Sequence, residues 1–129
     1  MIPRFRAYDG GSLNRMYQPE EVMVSDGSIW VNDEDSCGNE WIVNNDLHLM
    51  QSTGLIDKNG KEIFEGDIVD YKDRKAVIKW HGSYASFIYM FVEDLKNRNQ
   101  EWEPLYLSYY HFEIVGNKFE NPELLEVSS

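Results

Sequence analysis

The chain has 129 residues, enough for one domain or two small lobes sharing a core, and at this size about two-thirds of the unfolded surface is buried without staples. Hydrophobic residues at 42% and aromatics at 14% exclude a disordered chain and suit a β-rich globular one. With 12 Lys and Arg against 23 Asp and Glu the net charge is −11, a field that repels phosphate backbones and argues against duplex nucleic acid as a partner.

Cys37 is alone, so no intrachain disulfide can form, which fits a reducing cytosol. The opening MIPRFRAYDGG has no apolar core of a signal peptide, and no stretch approaches eighteen apolar residues. A cytoplasmic location with no membrane span is the expectation.

In chain order, "PRFRAYD" alternates: Phe5 and Ala7 face a core, with Tyr17 a further candidate, while Arg4 and Arg6 point away. "DGG" at 9–11 reads as a turn. Val22 and Val24, then Ser25-Asp26-Gly27, then Ile29-Trp30-Val31 predict a hairpin. "DEDSCGN" at 33–39 reads as a polar loop. Trp41–Val43 and Leu47–Met50 are two more apolar runs around the turn signal Asn44-Asn45-Asp46.

Charge is uneven. No Lys or Arg lies between Arg15 and Lys58, whereas Glu20, Glu21, Asp26, Asp33, Glu34, Asp35, Glu40, Asp46 and Asp57 do. An acidic face for a basic partner protein is one reading, solubility the plainer one.

"TGLIDKNGKEIFEGDIV", Thr53 to Val69, concentrates turn signals. Asn59-Gly60, following Asp57, is the preferred pair of a type I′ turn, in which both central residues need positive φ. Glu65-Gly66-Asp67 turns the chain again, and Gly54 relieves a bend upstream. The stretch reads as a structural clasp feeding a first lobe into a barrel. It is not an EF-hand: counted from Asp57, Gly comes too early, and counted from Asp33, no Glu closes the loop at the twelfth position.

The second half holds five short β-prone runs, at 67–71, 75–80, 84–92, 103–108 and 111–117, which suggest an SH3-like sheet. Asn121-Pro122-Glu123 then offers an N-cap, a proline at the first helical position and an acid in the first turn, so "PELLE" reads as one helical turn docking Leu124 and Leu125.

No motif for catalysis emerges. His48, His81 and His111 match no zinc spacing, one Cys builds no structural site, and GxSxG, P-loop and GxGxxG patterns are missing. Acids beside Cys37 raise a thiol pKa and disfavour a reactive thiolate. Aromatics crowd the second half. In "YASFIYMFV" one face carries Tyr84, Ile88 and Met90 and the other Phe87, Tyr89 and Phe91, so the strand is buried on both sides or covered by another molecule. With Tyr109 and Tyr110 these make a candidate interaction surface. Lys72, Arg74, Lys75 and Lys79 supply a local basic edge that could hold a single nucleic-acid strand.

"FRAYD" at 5–9, the run 53–69 and "FEIVGNKFENPELL" at 112–125 together resemble the three signatures of the YopX family, small proteins of bacteriophages and prophages of low-GC Gram-positive bacteria. The resemblance spans nearly the whole chain. It implies a β-rich fold with a large mixed sheet, no known catalytic activity and no established site residues. The expectation is one YopX-like domain over 1–129, mainly β, with an acidic β lobe at about 1–52 and an SH3-like small barrel plus a turn of helix at about 53–129. Its function is expected to be a non-enzymatic protein-interaction or self-assembling module in the bacterial host cytoplasm, without cofactor or metal, its protein partner unknown. The alternatives are a single-stranded nucleic-acid binder and an enzyme with an unrecognised carboxylate site.

Overall fold

The computed structural model describes residues 4–11, 13–32, 40–95 and 101–126. The described residues are mainly β, their helical structure confined to short 3₁₀ turns. It divides into two compact units, Met1–Ser52 and Thr53–Ser129.

The first unit holds β1 (Phe5–Asp9), β2 (Arg15–Tyr17), a 3₁₀ turn (Pro19–Glu21), β3 (Val22–Ser25), β4 (Ser28–Asn32), β5 (Trp41–Val43) and the start of β6 (His48–Ile56). Polar side chains shape its turns. Asp9 Oδ1 accepts the Gly11 N–H at 3.0 Å, and Asn44 Oδ1 accepts that of Asp46 at 3.1 Å. Asp26 and Gly27 both have positive φ, 53° and 74°, so the β3–β4 connection is a type I′ turn closed by the pair Ser25↔Ser28. One sheet pairs β2, β1 and β6; the other runs β3-β4-β5. Side chains of both meet in a core of Ala7, Tyr17, Val22, Val31 and Leu47, with Phe5, Ile29 and Leu49 against it.

The second unit continues β6 into β7 (Glu62–Phe64), then β8 (Asp67–Tyr71), β9 (Arg74–His81), β10 (Ser86–Phe91), β11 (Glu103–Pro104) and β12 (Glu113–Asn117). Strand order β11-β10-β9-β8-β12 is a meander whose last strand returns to pair with its first, the SH3-like arrangement. The core is Ile63, Val69, Ala76, Ile78, Tyr89, Leu105 and Phe112. Burying each large member removes enough apolar surface to contribute about 1.5–3 kcal/mol.

Several local expectations are corrected. Residues 103–108 are not one strand: only Glu103–Pro104 pair, and Leu105–Leu107 form a 3₁₀ turn that drops Leu105 into the core. In place of the mixed sheet expected, among the described residues the pairs β1–β2, β1–β6, β3–β4, β4–β5, β8–β9, β9–β10, β10–β11 and β8–β12 are antiparallel. The turn at Pro122–Leu125 is 3₁₀, and Asn121 stands at its N-cap position without a side-chain capping bond. The Asn121 side chain instead accepts the Asn117 N–H at 3.2 Å, over a Gly116 whose added Cβ would lie 2.6 Å from that same oxygen.

The turn after β6 also differs from expectation. Gly60 has φ +84°, but Asn59 is not among the positive-φ residues, so this is not type I′. Gly60 N–H donates to the Asp57 carbonyl and Asp57 N–H to that of Lys61, the pattern of a type I turn followed by a glycine bulge. The reason is the Asp57 side chain. Its Oδ1 accepts the N–H groups of Asn59 (2.9 Å) and Lys61 (2.8 Å), and its Oδ2 accepts that of Ile114 on β12 (3.0 Å). Next along the chain, Asp67 Oδ2 accepts the Phe64 N–H at 2.7 Å, and Gly66, with φ +89°, gives its N–H to Ile78 and takes that of Lys118. Gly54 sits in β6 at φ +78° beside Thr53, whose Oγ1 donates to the Ile63 carbonyl and accepts the Leu55 N–H.

Asp57 is 3% exposed. Burial pushes its carboxyl up, but the N–H groups of Ile114, Lys61 and Asn59 and the Lys61 charge outweigh that and hold it below the ordinary 3.8. A depressed folded-state value means its stabilisation is full above the unfolded-state value and is lost as pH falls through the lower folded one. Asp57→Asn turns an amide N–H₂ toward donors and is expected to cost about 2–3 kcal/mol at neutral pH in urea unfolding. The gap to wild type should shrink as pH falls below 3.8. By contrast, Lys72 and Asp73 make the β8–β9 turn at φ 52° and 65° with no glycine. Asp73→Gly should therefore stabilise by about 0.5–1 kcal/mol in the same assay.

Candidate interaction surface

The register of β9 and β10 sets Trp80 opposite Phe87 and His81 opposite Ser86. The connecting residues turn tightly, with Ala85 at φ 48°. Rings therefore gather where the hairpin ends. Trp80 and Phe87 meet edge to face at 4.9 Å. His81, Tyr84 and Trp102 are in mutual contact, at 4.8, 4.7 and 4.9 Å between centroids. Tyr84 is 66% and Trp80 47% exposed, a large apolar area for a surface hairpin. His81 Nδ1 lies enclosed in this cluster with no hydrogen-bond partner.

Beside it lies a cleft of about 130 Å³ lined by Arg74, Tyr89, Phe91, Asp94, Glu101, Trp102 and Glu103. Arg74 crosses the Phe91 ring at 3.6 Å and pairs with Glu93 and Asp94. Arg74 and Glu93 are each about half exposed, so the pairing orients side chains more than it stabilises. Tyr89 Oη donates to Glu103 at 2.6 Å and lies 3.5 Å from Ser108 Oγ. A second aromatic group forms around the 3₁₀ turn Tyr109–His111: Tyr109 and Tyr110 meet at 5.5 Å, Tyr110 and His111 at 4.1 Å, and His111 and Tyr71 at 5.8 Å.

The residues singled out from the sequence divide accordingly. Tyr84 and Tyr110 are exposed, the latter at 55%. Tyr109 is half-buried against the core. Ile88 and Met90 are corrected: at 3% and 5% exposure they are interior, so neither face of β10 is open along its length. Glu20 is exposed, but Glu21 is committed to structure, pairing with Arg15 at 2.7 Å and accepting the Gln18 N–H. Asp33, Glu34 and Asp35 lie outside the described residues, as does Cys37. Asp57, Asn59 and Gly60 belong to the β6–β7 turn and Glu65 and Gly66 to the β7–β8 turn that the Asp67 side chain closes, while Gly54 lies within β6. Sequence reasoning counted Trp102 only among the aromatics that crowd the second half and passed over the cleft acids Asp94, Glu101 and Glu103, because the residues around them carry no period that places them. The signal that could have drawn in His81 is the alternation of "KAVIKWH" against "SFIYMF", which fixes the hairpin's end.

Among the described residues no group of three or more His, Cys, Asp or Glu is placed to hold a metal ion. No helix among them is long and apolar enough to cross a membrane.

Burial pushes the Tyr89 hydroxyl above the ordinary 10.0, and its hydrogen bond to Glu103 adds to this while that with Ser108 opposes it. A raised folded-state value means stability is full below the unfolded-state value and is lost as pH rises through the folded one. In an alkaline absorbance titration, Tyr89→Phe should remove one tyrosine that ionises above 10.0 and flatten the loss of stability beyond that pH.

No curated protein matches this chain. The crystal structure of protein EF1440 from Enterococcus faecalis is similar to it, at 27% sequence identity and a TM-score of 0.60, covering 98% of this chain and 99% of its own. The family model described as YopX protein matches residues 4–126. With nearly the whole chain matched and the β-rich architecture in agreement, this protein belongs to the YopX family.

Proposed function

We propose that this chain is a non-enzymatic protein-interaction module, encoded by a phage or prophage and working in the bacterial host cytoplasm. The observation that carries the reading is the aromatic end of the β9–β10 hairpin, where Tyr84 stands exposed against His81 and Trp102 and Trp80 stands exposed against Phe87, with an acid-lined cleft beside Trp102. Rigid aromatics at a surface give large contact area at small entropic cost and anchor protein interfaces.

The carboxylates of the cleft act in recognition rather than in acid–base chemistry on this reading, since Glu103 is engaged by Tyr89 and Asp94 by Arg74. The single-strand alternative loses ground at the same place. Arg74, one of the four cations of the basic hairpin, is paired with Glu93 and Asp94, and Lys72 lies over the Tyr71 ring at 5.2 Å.

The test is capture from infected host cells with a tagged chain, the retained proteins being named by mass spectrometry. One protein should be retained stoichiometrically and its recovery should fall about tenfold for Trp80→Ser with Tyr84→Ser, the scale of losing interface anchors. A chain that stays monomeric by light scattering and retains nothing, or retains its partner undiminished in the variant, overturns the reading. A labelled single strand should show no retardation even at low salt, where electrostatic binding is strongest.

A further inference from the structure

The β3-β4-β5 sheet has one face in the first unit's core, through Val22, Ile29 and Val31. Its other face is apolar as well. Met23, Trp30 and Val43 stand in one cross-strand row, and Trp41 stands two residues from Val43 on the same side. Met23, Trp41 and Val43 are 41%, 38% and 47% exposed. Outward positions of such a sheet are ordinarily polar.

β5 is also an edge. It pairs with β4, and among the described residues no strand pairs with its other side. Asn44 N–H donates to the Ile29 carbonyl at 2.9 Å. By antiparallel alternation the next hydrogen-bonded pair is Ile42 with Val31, so Trp41 and Val43 turn N–H and C=O away from β4. Edges are normally blunted by Lys, Pro or a bulge, and Trp41–Val43 carries none of these.

The charge selects the occupant. No Lys or Arg lies anywhere between Arg15 and Lys58, and Glu40 and Asp46 flank β5 in sequence. A second copy would bring an equally acidic edge against this one and be repelled, whereas a cationic segment is attracted.

We propose that the free edge and outer face of β5 form a strand-addition site for an extended, basic segment of a partner protein, its apolar residues covering Trp41 and Val43 and its Lys or Arg residues meeting the flanking acids. Strand addition draws affinity from main-chain hydrogen bonds and specificity from alternate side chains. The proposal rests on the interaction-module reading and locates a second contact, built from first-unit residues alone.

The probe is the capped peptide Lys-Val-Lys-Val-Lys-Val-Lys, titrated into the full chain and followed by amide chemical shifts and tryptophan fluorescence. Shifts should centre on Trp41–Val43 and Trp30, and affinity should fall about tenfold between roughly 50 and 300 mM salt as screening grows. The same peptide with Glu for Lys should not bind. Val43→Pro removes an outward N–H without touching the bond to β4, so the fold should persist by far-UV circular dichroism while peptide affinity drops at least about tenfold. Trp41→Lys, which blunts the edge by charge, should act likewise. No binding, binding that Val43→Pro leaves intact, or shifts confined to other residues would each overturn the proposal. So would a salt-insensitive dimer that Val43→Pro dissolves, since the occupant would then be a second copy. Failure here, with captured protein still lost from the Trp80→Ser and Tyr84→Ser variant, sinks this site alone. Loss of both results sinks the module reading with it.

Discussion

A single buried carboxylate ties the second unit together. Asp57 sits in the turn between β6 and β7, yet one of its oxygens reaches the backbone of Ile114, fifty-seven positions along the chain. Charged acceptors of backbone N–H groups are about twice as strong as neutral ones, and this one is nearly dry. It fixes the shape of the β6–β7 turn and the place of the returning strand β12 at once. That return sets β12 beside β8 and so gives the five-stranded sheet its SH3-like order.

Other polar groups extend the same logic. Asp67 closes the next turn on Phe64, and the Gly66 peptide bonds Ile78 on one side and Lys118 on the other. At the far end of β12, the Asn117 side chain accepts the N–H groups of Phe119 and Glu120 and donates to Glu120. Acids and amides that a count of charge assigns to solubility are thus consumed as internal acceptors. An acidic composition and a stable β-fold are compatible here because buried Asp57 and Asp67 accept backbone N–H groups.

The surfaces left over are of two kinds. In the second unit, rings cluster where a hairpin ends and stand beside carboxylates that are themselves engaged. In the first unit, a thin sheet uses one face for its core and leaves the other apolar and its last strand unpaired. Both depart from the usual rule that what faces water is polar, and such departures are where a binding protein differs from an inert one.

The sequence by itself determined much of the local structure. Period-two runs placed β1, β3, β4, β8, β9 and β10 within a few residues, and Ser25-Asp26-Gly27 specified its hairpin, because side-chain alternation and φ preference are local properties. The rest depended on tertiary structure. Asn59-Gly60 looked like type I′, but the Asp57 side chain, held by Ile114, selects another turn. Asn121 looked like a helix cap but is diverted to Asn117. Ile88 and Met90 looked like surface on an apolar strand but lie inside, since burial on both faces of a strand cannot be told from an uncovered face by alternation alone. Trp102, His81 and the Arg74 cleft come together from segments whose pairing only the folded register fixes. These contacts join residues far apart in the chain, and no local pattern encodes them.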